Sequence, residues 1–458
     1  MAVAGAKLAS KVIRRFSKRS GSTFPGYSAR RIDPNILSFL SGMVREKIIV
    51  TMGTNGKTTV NSLLCHVLLE QGKKVIINRT GSNMLNGVVS AFILEVDKSG
   101  WLDADYACIE VDEFAALQIL PQLKPDCIIL TNIFRDQLDR YGEVDTVCSS
   151  ILKAFLSVPE AKLVINCDDV LSSALASECS NVVITYGINE QIFDSVISPE
   201  IHESIFCRFC GEKLKYDFFH YGQLGIYHCP SCGWKRTYPN CSVENIMLTE
   251  EGYCFDIYCY NIHGNDIYGS DIDDLHICSG MDSPYNIYNT LSVYAALYGL
   301  EMSVEGFQDA VTTFDYRNDR EEIFTINNAK VQLYLAKNPV GFQQKIGMLL
   351  KDVKPKDILI QINDTYQDGK DISWLWDVDF GHLRNVNASS ITVTGSRRHD
   401  MALRLKYENI SCNTIRCMRR KLKQLSANGT GNIYIIVNYS GLMPVNRMLS
   451  KLQDKNRV

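Results

Sequence analysis

Two groups of residues in this 458-residue chain have types and spacings suited to chemistry. The first is the run Gly53-Thr54-Asn55-Gly56-Lys57-Thr58-Thr59. It lies between the apolar stretch 47–52 (KIIVTM) and a helical stretch with apolar Val60, Leu63, Leu64, Val67 and Leu68. Glycines at such a strand-to-helix junction let backbone N–H groups converge on phosphate oxygens, and the helix N-terminus adds partial positive charge. Lys57 is placed to neutralise the outer phosphates of ATP, and the Thr58 hydroxyl to ligate Mg2+. The common phosphate loop has four residues between its first glycine and the Gly-Lys pair; here Thr54 and Asn55 are the only two.

The second group is Cys207, Cys210, Cys229 and Cys232, two C-x2-C pairs separated by 18 residues. Each pair aims two thiolates at one ion, and four sulfurs satisfy tetrahedral Zn2+. Gly211 and Gly233, each just after a pair, suit the tight turns this requires. With every coordination position filled, the expected role is a structural zinc ribbon with no catalytic ion. His228 adjoins a ligand and reads as a bystander.

Carboxylates able to complete an Mg2+ site come from two clusters. Glu110, Asp112 and Glu113 follow the apolar run 106–110, and Asp136 and Asp139 lie in TNIFRDQLDRYG (131–142). In a doubly wound sheet both clusters fall at carboxyl ends of strands, where ligands bind. The alternative is a set of solvated loop acids; Glu110 has the stronger claim to a role. A third polar run, LIQINDTYQDGKDISWLWDVDF (359–380), sets Asp364, Asp368 and Asp371 beside Trp374 and Trp376. It reads either as an interface surface or as an acidic loop in which Asp371 caps a helix.

The elements that must position these groups are legible as short apolar β runs at 74–78, 106–110, 127–132, 162–166 and 181–186, alternating with helical stretches. That is the pattern of a parallel sheet covered on both faces. It breaks between about 195 and 280 and ends in a helix over 283–300. After 316–324 a second alternation brings four strands (VQLYLA, DILIQIN, ITVTG, IYIIVN) and a smaller, Rossmann-like α/β domain. The expected division is a basic helical lead-in over 1–45, an ATP-binding domain over 46–318 with the ribbon inserted at 200–240, and a C-terminal α/β domain over 319–458.

A net charge of −3 gives no global basic field for bulk nucleic-acid binding. No apolar run reaches the ~18–20 residues of a membrane span. Lys7, Lys11, Arg14, Arg15, Lys18 and Arg19 crowd the N-terminus without an apolar core, so it is not a secretory signal. It reads as a solvated helix or as a basic helix on an anionic membrane surface. Most of the sixteen cysteines sit singly in apolar runs, as Cys108 and Cys127 do, and read as buried free thiols of a reducing cytosol.

GTNGKTT, TNIFRDQLDRYG and NIYNTLSVYAAL together resemble the Mur ligase and folylpolyglutamate synthetase superfamily. The resemblance implies activation of a carboxylate by ATP as an acyl phosphate, which an amine then attacks. It maps an asparagine near the adenine onto Asn289 and an arginine after the central domain onto Arg320. Gln137 stands where the Mur pattern has histidine, so no metal role is carried onto it, and the superfamily's modified lysine finds no clear counterpart. Only 52 residues precede Gly53, too few for the roughly 100-residue domain that holds a UDP-linked substrate. The expectation is a folylpolyglutamate-like ligase or a Mur relative that recognises its substrate otherwise.

The four-cysteine insertion, YLAKNPVGF (with Lys337 and Asn338) and NDTYQDGKDISWLWDVDF extend the resemblance, over about 30–445, to the ligase subunits of lipid II isoglutaminyl synthases. This implies amidation of the D-glutamate α-carboxylate in the lipid II stem peptide to D-isoglutamine. It also implies a GatD-type glutaminase as heterodimer partner and ammonia source, and Asp371 as the acid completing that partner's Cys–His pair. The implied location is the cytoplasm, at the inner membrane face where lipid II is anchored. The chain's cysteines include no Gly-x-Cys-x-Gly elbow, consistent with an outside ammonia source. Two other readings stay open: an amino-acid ligase needing no partner, and a non-catalytic zinc-ribbon scaffold that binds ATP.

Overall fold

The computed structural model describes residues 23–78, 82–134, 144–192, 205–249, 252–260, 273–281, 283–316, 321–365, 368–428 and 431–455. The basic residues Lys7 to Arg19, and Asp136, Gln137, Asp139 and Arg320, lie outside the described residues. The chain forms two compact units, one holding nearly all of the residues up to Tyr316, the other those from 317 onward.

In the first unit the order is α1 (Phe24–Ile32), α2 (Ile36–Ser41), β1 (Lys47–Met52), α3 (Lys57–Glu70), β2 (Val75–Ile77), α4 (Leu85–Glu95), β3 (Tyr106–Glu110), α5 (Ala116–Leu123), β4 (Cys127–Leu130), α6 (Val144–Leu156), β5 (Lys162–Asn166), α7 (Val170–Ser177) and β6 (Val183–Ile188). Then come β7 (Lys215–Tyr221), β8 (Leu224–His228), β9 (Cys241–Thr249), β10 (Gly252–Cys259), β11 (Asp273–Ser279), α8 (Tyr285–Gly299) and α9 (Phe307–Thr313). Nine strands make one sheet in the order β11-β10-β9-β6-β5-β4-β1-β3-β2. The seven from β2 to β9 are parallel, and β10 and β11 continue the sheet antiparallel. Every residue of β3 and β4 is buried, as continuous apolar strands between two helical layers should be. The break that the sequence shows after 195 is thus in part an extension of the same sheet. Among the described residues only β7 and β8 form a separate two-stranded sheet, the ribbon.

The thiol reading needs one correction. Cys65, Cys108, Cys127, Cys148 and Cys167 are buried and in no disulfide, but Cys241 is bonded to Cys259, and Cys254 to Cys278. Both pairs face each other directly across antiparallel ladders, a register the sequence does not reveal.

The second unit comprises β12 (Glu321–Ile326), β13 (Ala329–Leu335), α10 (Pro339–Lys351), β14 (Lys356–Gln361), two 3-10 turns (Ser373–Asp377 and Phe380–Asn385), β15 (Ala388–Thr394), α11 (Arg398–Tyr407), β16 (Asn413–Thr414), α12 (Met418–Asn428), β17 (Asn432–Val437) and α13 (Tyr439–Lys455). Its sheet runs β12-β13-β17-β14-β15-β16. The four strands expected from sequence are its parallel centre; Glu321–Ile326 adds an antiparallel edge. Among the described residues no helix is long and apolar enough to cross a membrane.

Candidate functional site

Strand β1 lies between β3 and β4, so the chain leaves it where neighbouring connections diverge, the place at which open α/β sheets bind ligands. The loop 53–56 leaves its carboxyl end and α3 begins at Lys57. Gly53 and Gly56 both have positive φ, 118° and 88°. A β-carbon on Gly53 would fall 2.3 Å from Thr131 Oγ1, and one on Gly56 would fall 2.4 Å from Asn289 Oδ1. Only glycine fits either place. The end of β4 holds the loop: the Asn55 N–H donates to Asn132 Oδ1 (3.0 Å), the Thr54 N–H to the Asn132 carbonyl (2.8 Å), and Thr131 Oγ1 to the Asn55 carbonyl (2.7 Å). Thr59 starts the buried side of α3, and the helix has no acidic residue in its first turn. Its N-terminal end therefore keeps its affinity for an anion.

Lys57 Nζ donates to Glu113 Oε1 at 2.7 Å and also to the Gly53 carbonyl. Burial alone would lower the lysine pKa, but the carboxylates of Glu113 and Glu110 outweigh it and hold the ammonium above its ordinary value. Thr58 Oγ1 donates to Glu110 Oε2 at 2.8 Å, and Asn83 Nδ2 donates to Glu110 Oε1 at 3.0 Å. Adjacent ligands of an octahedral Mg2+ with bonds of 2.0–2.1 Å lie about 2.9 Å apart. The Thr58 and Glu110 oxygens therefore fit one hard cation. Glu110 is itself fixed from behind: its N–H donates to Asn78 Oδ1 (2.8 Å) and its carbonyl accepts from Asn78 Nδ2 (2.7 Å). On α8, Asn289 Nδ2 donates to Asn286 Oδ1 at 3.0 Å, and its Oδ1 faces Gly56.

The four ribbon sulfurs, Cys207, Cys210, Cys229 and Cys232, lie within 4.8 Å of one another and could hold one metal ion. Gly211 and Gly233 adopt φ of 76°, and each donates back to the carbonyl of the first cysteine of its pair. The Cys232 N–H, 3.5 Å from Cys229 Sγ, lowers the pKa of the Cys229 thiol. His228 does not belong to the cluster. Its Nδ1 is 3.8 Å from Asp217. A buried polar knot ties the ribbon to the sheet. Arg236 Nε donates to Asp168 Oδ1 (2.6 Å), Tyr288 Oη to Asp168 Oδ2 (2.6 Å), and Gln223 Nε2 to Asp169 Oδ1 (2.6 Å) and the Ile133 carbonyl (2.8 Å).

In the second unit Asp371 accepts from the Ser373 N–H (2.8 Å) and hydroxyl (2.9 Å), opening the 3-10 turn, and stays half-exposed. Capping and accessibility coexist in this residue. Trp374 is buried against Phe342, whereas Trp376 is exposed, edge-on to exposed Tyr407. Of the two tryptophans, only Trp376 is available as a surface anchor. Asn338 is fully buried and caps α10 through Gly341.

Residues 50–227 match the Mur ligase middle domain, and residues 335–442 match the MurT ligase C-terminal domain. A lipid II isoglutaminyl synthase (glutamine-hydrolyzing) subunit MurT from Staphylococcus aureus (strain COL) is 32% identical over 449 residues, spanning 97% of this chain and 96% of its own. The chain belongs to the MurT family. The MurT subunit from Streptococcus pneumoniae is 31% identical over 440 residues, 94% of this chain and 93% of its own. A pseudomurein peptide ligase type C from Methanothermus fervidus shares the fold at 20% identity, with a TM-score of 0.66 over 90% of this chain and 80% of that one.

In this MurT-family chain the structure brings Gly53 to Thr59, Glu110 and Asn289 together around one loop. The reading from sequence missed Asn78, Asn83, Thr131 and Asn132, which hold the loop and Glu110. Asn78 and Asn132 end apolar β runs, a signal available but not specific. Nothing in the sequence pairs Arg236 with Asp168.

Proposed function

We propose that this MurT-family chain amidates the D-glutamate α-carboxylate of the lipid II stem peptide, drawing ammonia from a GatD-type glutaminase subunit. The observation that carries the reading is the placing of Lys57, Thr58 and Glu110 at the carboxyl ends of β1 and β3. ATP with Mg2+ would supply the phosphoryl group that turns an unreactive carboxylate into an acyl phosphate, from which ammonia displaces phosphate to leave the amide.

Within that scheme the chain's residues bind and position. The N–H groups from Gly56 to Thr59 receive phosphate oxygens, while those of Thr54 and Asn55 fix the loop by donating to Asn132. Lys57 exchanges Glu113 for phosphate, so its charge is matched in both states. Thr58 and Glu110 hold the cation, and Asn78 and Asn83 stop Glu110 from turning away. Placing positive charge where negative charge develops is the largest contribution such a site can make. Asn289 borders the loop at Gly56, and the resemblance assigns it to the adenine and Arg320 to the nucleotide. The ribbon cysteines hold a structural Zn2+. Asp371 orients the partner's catalytic histidine, which makes glutamine hydrolysis depend on assembly. The basic segment Lys7 to Arg19 meets anionic headgroups near the lipid-linked substrate.

The test is mass analysis of lipid II incubated with this chain, ATP, Mg2+ and glutamine, with and without the glutaminase. One amide-for-acid exchange per stem peptide, dependent on both proteins, is expected. Attachment of an amino acid by this chain alone would overturn the reading.

A further inference from the structure

The antiparallel end of the large sheet carries a second cluster of metal-type ligands. Residues of β10 and β11 alternate between a buried face, with Phe255, Ile257 and Ile277, and a face bearing Cys254, Asp256, His276 and Cys278. The register sets Cys254 opposite Cys278 and Asp256 opposite His276, and β11 is the sheet's edge strand. The two sulfurs are joined as a disulfide.

A disulfide that merely staples two strands has no use for a neighbouring imidazole, yet this one has an oriented imidazole. His276 Nδ1 is 2.6 Å from Asp256 Oδ1, and Asp256 Oδ2 accepts from Asn245 Nδ2 at 2.8 Å. A carboxylate on Nδ1 fixes the proton there and leaves the lone pair on Nε2. Nε2 lies 3.3 Å from Cys278 Sγ. The carboxylate–histidine arrangement that orients metal ligands is therefore in place, with its acceptor nitrogen aimed at two sulfurs. The Cys254, His276 and Cys278 ligand atoms all lie within 4.8 Å of one another. With bonds of about 2.3 Å to sulfur and 2.0–2.1 Å to nitrogen, one tetrahedral cation can reach all three. The Cys241–Cys259 pair, fully buried, belongs to no such group among the described residues.

We propose that Cys254, His276 and Cys278 form a second, thiol-gated metal site that takes one zinc-class divalent cation when the disulfide is reduced. A small thiol reductant gives up two electrons and two protons and becomes its own disulfide. The Cys254–Cys278 bond opens to two thiols. The cation binds the two sulfurs and Nε2, releasing the two thiol protons to solvent, and water takes the fourth position. Oxidation by a small disulfide re-forms the Cys254–Cys278 bond and expels the ion. The site is separate from the nucleotide loop and from the ribbon, and does not depend on the proposed activity.

The experiment counts zinc by mass spectrometry of the full chain after zinc loading under a thiol reductant and gel filtration. Reduced wild type should carry one equivalent more than His276→Ala, Cys278→Ser, or wild type oxidised with glutathione disulfide. For the two variants that difference does not depend on what the ribbon holds. Equal zinc in reduced wild type, His276→Ala and Cys278→Ser would overturn the proposal. Asp256→Asn keeps all three ligands and should weaken the reduced site about 10–100-fold in chelator competition; unchanged affinity would overturn the orienting role of the carboxylate.

Discussion

Lys57 and Glu113 form an ion pair of 2.7 Å at the mouth of the nucleotide loop, with side-chain exposures of only 11% and 8%. The lysine proposed to meet phosphate is thus held charged and in place by Glu113. Removing one member of a buried pair strands the other, at a cost on the order of 3 kcal/mol. Glu113→Gln should therefore lower the melting temperature of the nucleotide-free protein. Saturating ATP and Mg2+ should restore most of the loss, because phosphate supplies the missing negative charge. Melting curves with and without nucleotide check this. Equal stabilisation of wild type and variant by nucleotide would show that Lys57 does not meet the phosphates. Lys57→Ala should in turn lower amidation by about 10^2-fold or more.

Glu110 offers a different handle. Gln at 110 can still accept from Thr58 but lacks the charge that draws a hard cation. Glu110→Gln should raise the Mg2+ concentration needed for half-maximal activity at least tenfold. Asn83→Ala frees only the far oxygen of Glu110, and its effect should be about 10–100-fold on metal affinity, as for other groups that orient a ligand. Titrating activity with Mg2+ at saturating ATP separates these effects from nucleotide binding. An unchanged Mg2+ requirement in Glu110→Gln would remove Glu110 from the metal site.

These residues also show what a sequence can carry. The loop was legible because its function needs glycine, lysine and threonine at fixed offsets beside a strand. The ribbon was legible for the same reason. Residues that act across the sheet were not. Asn132 lies 77 positions from Asn55, and Asp168 lies 68 positions from Arg236, so their meeting depends on strand order. The cross-strand cysteines illustrate the same limit. Cys254 and Cys278 look like the other single cysteines until the register of β10 and β11 sets them face to face. Trp374 and Trp376 look alike in sequence, yet the 3-10 turn sends one into the core and leaves the other outside.

The ribbon's hold on the sheet predicts acid sensitivity. His220 on β7 is buried, 3.8 Å from Asp168 and near Arg236, with neither ring nitrogen hydrogen-bonded among the described side chains. Burial lowers its pKa from 6.5 to about 4, outweighing the pull of Asp168. The unfolded chain therefore binds a proton between these values that the folded chain refuses. Stability is full above about pH 6.5 and falls as pH drops towards 4, by a total on the order of 3 kcal/mol from this group. His220→Gln, neutral throughout, should lose less melting temperature than wild type between pH 7 and pH 5. Identical pH dependence in the two proteins would mean that folding does not shift the His220 pKa.

Asp371 supports the most specific prediction about assembly. Its carboxylate is held by the Ser373 N–H and hydroxyl, yet remains half-exposed, so it is oriented without being consumed. A triad acid needs that combination, since it must keep a fixed direction and still reach a histidine. Asn at 371 retains an oxygen for the Ser373 N–H, so the local turn should survive. What it loses is the negative charge that stabilises an imidazolium. Asp371→Asn should suppress glutamine hydrolysis by the assembled complex by several orders of magnitude while leaving ATP binding unchanged. It should also leave amidation intact when ammonium salts at alkaline pH replace glutamine, because free ammonia bypasses the partner. Loss of the ammonia-dependent reaction together with the glutamine-dependent one would place Asp371 in the ligase chemistry itself. Glutaminase activity at the wild-type level would remove it from the partner's triad.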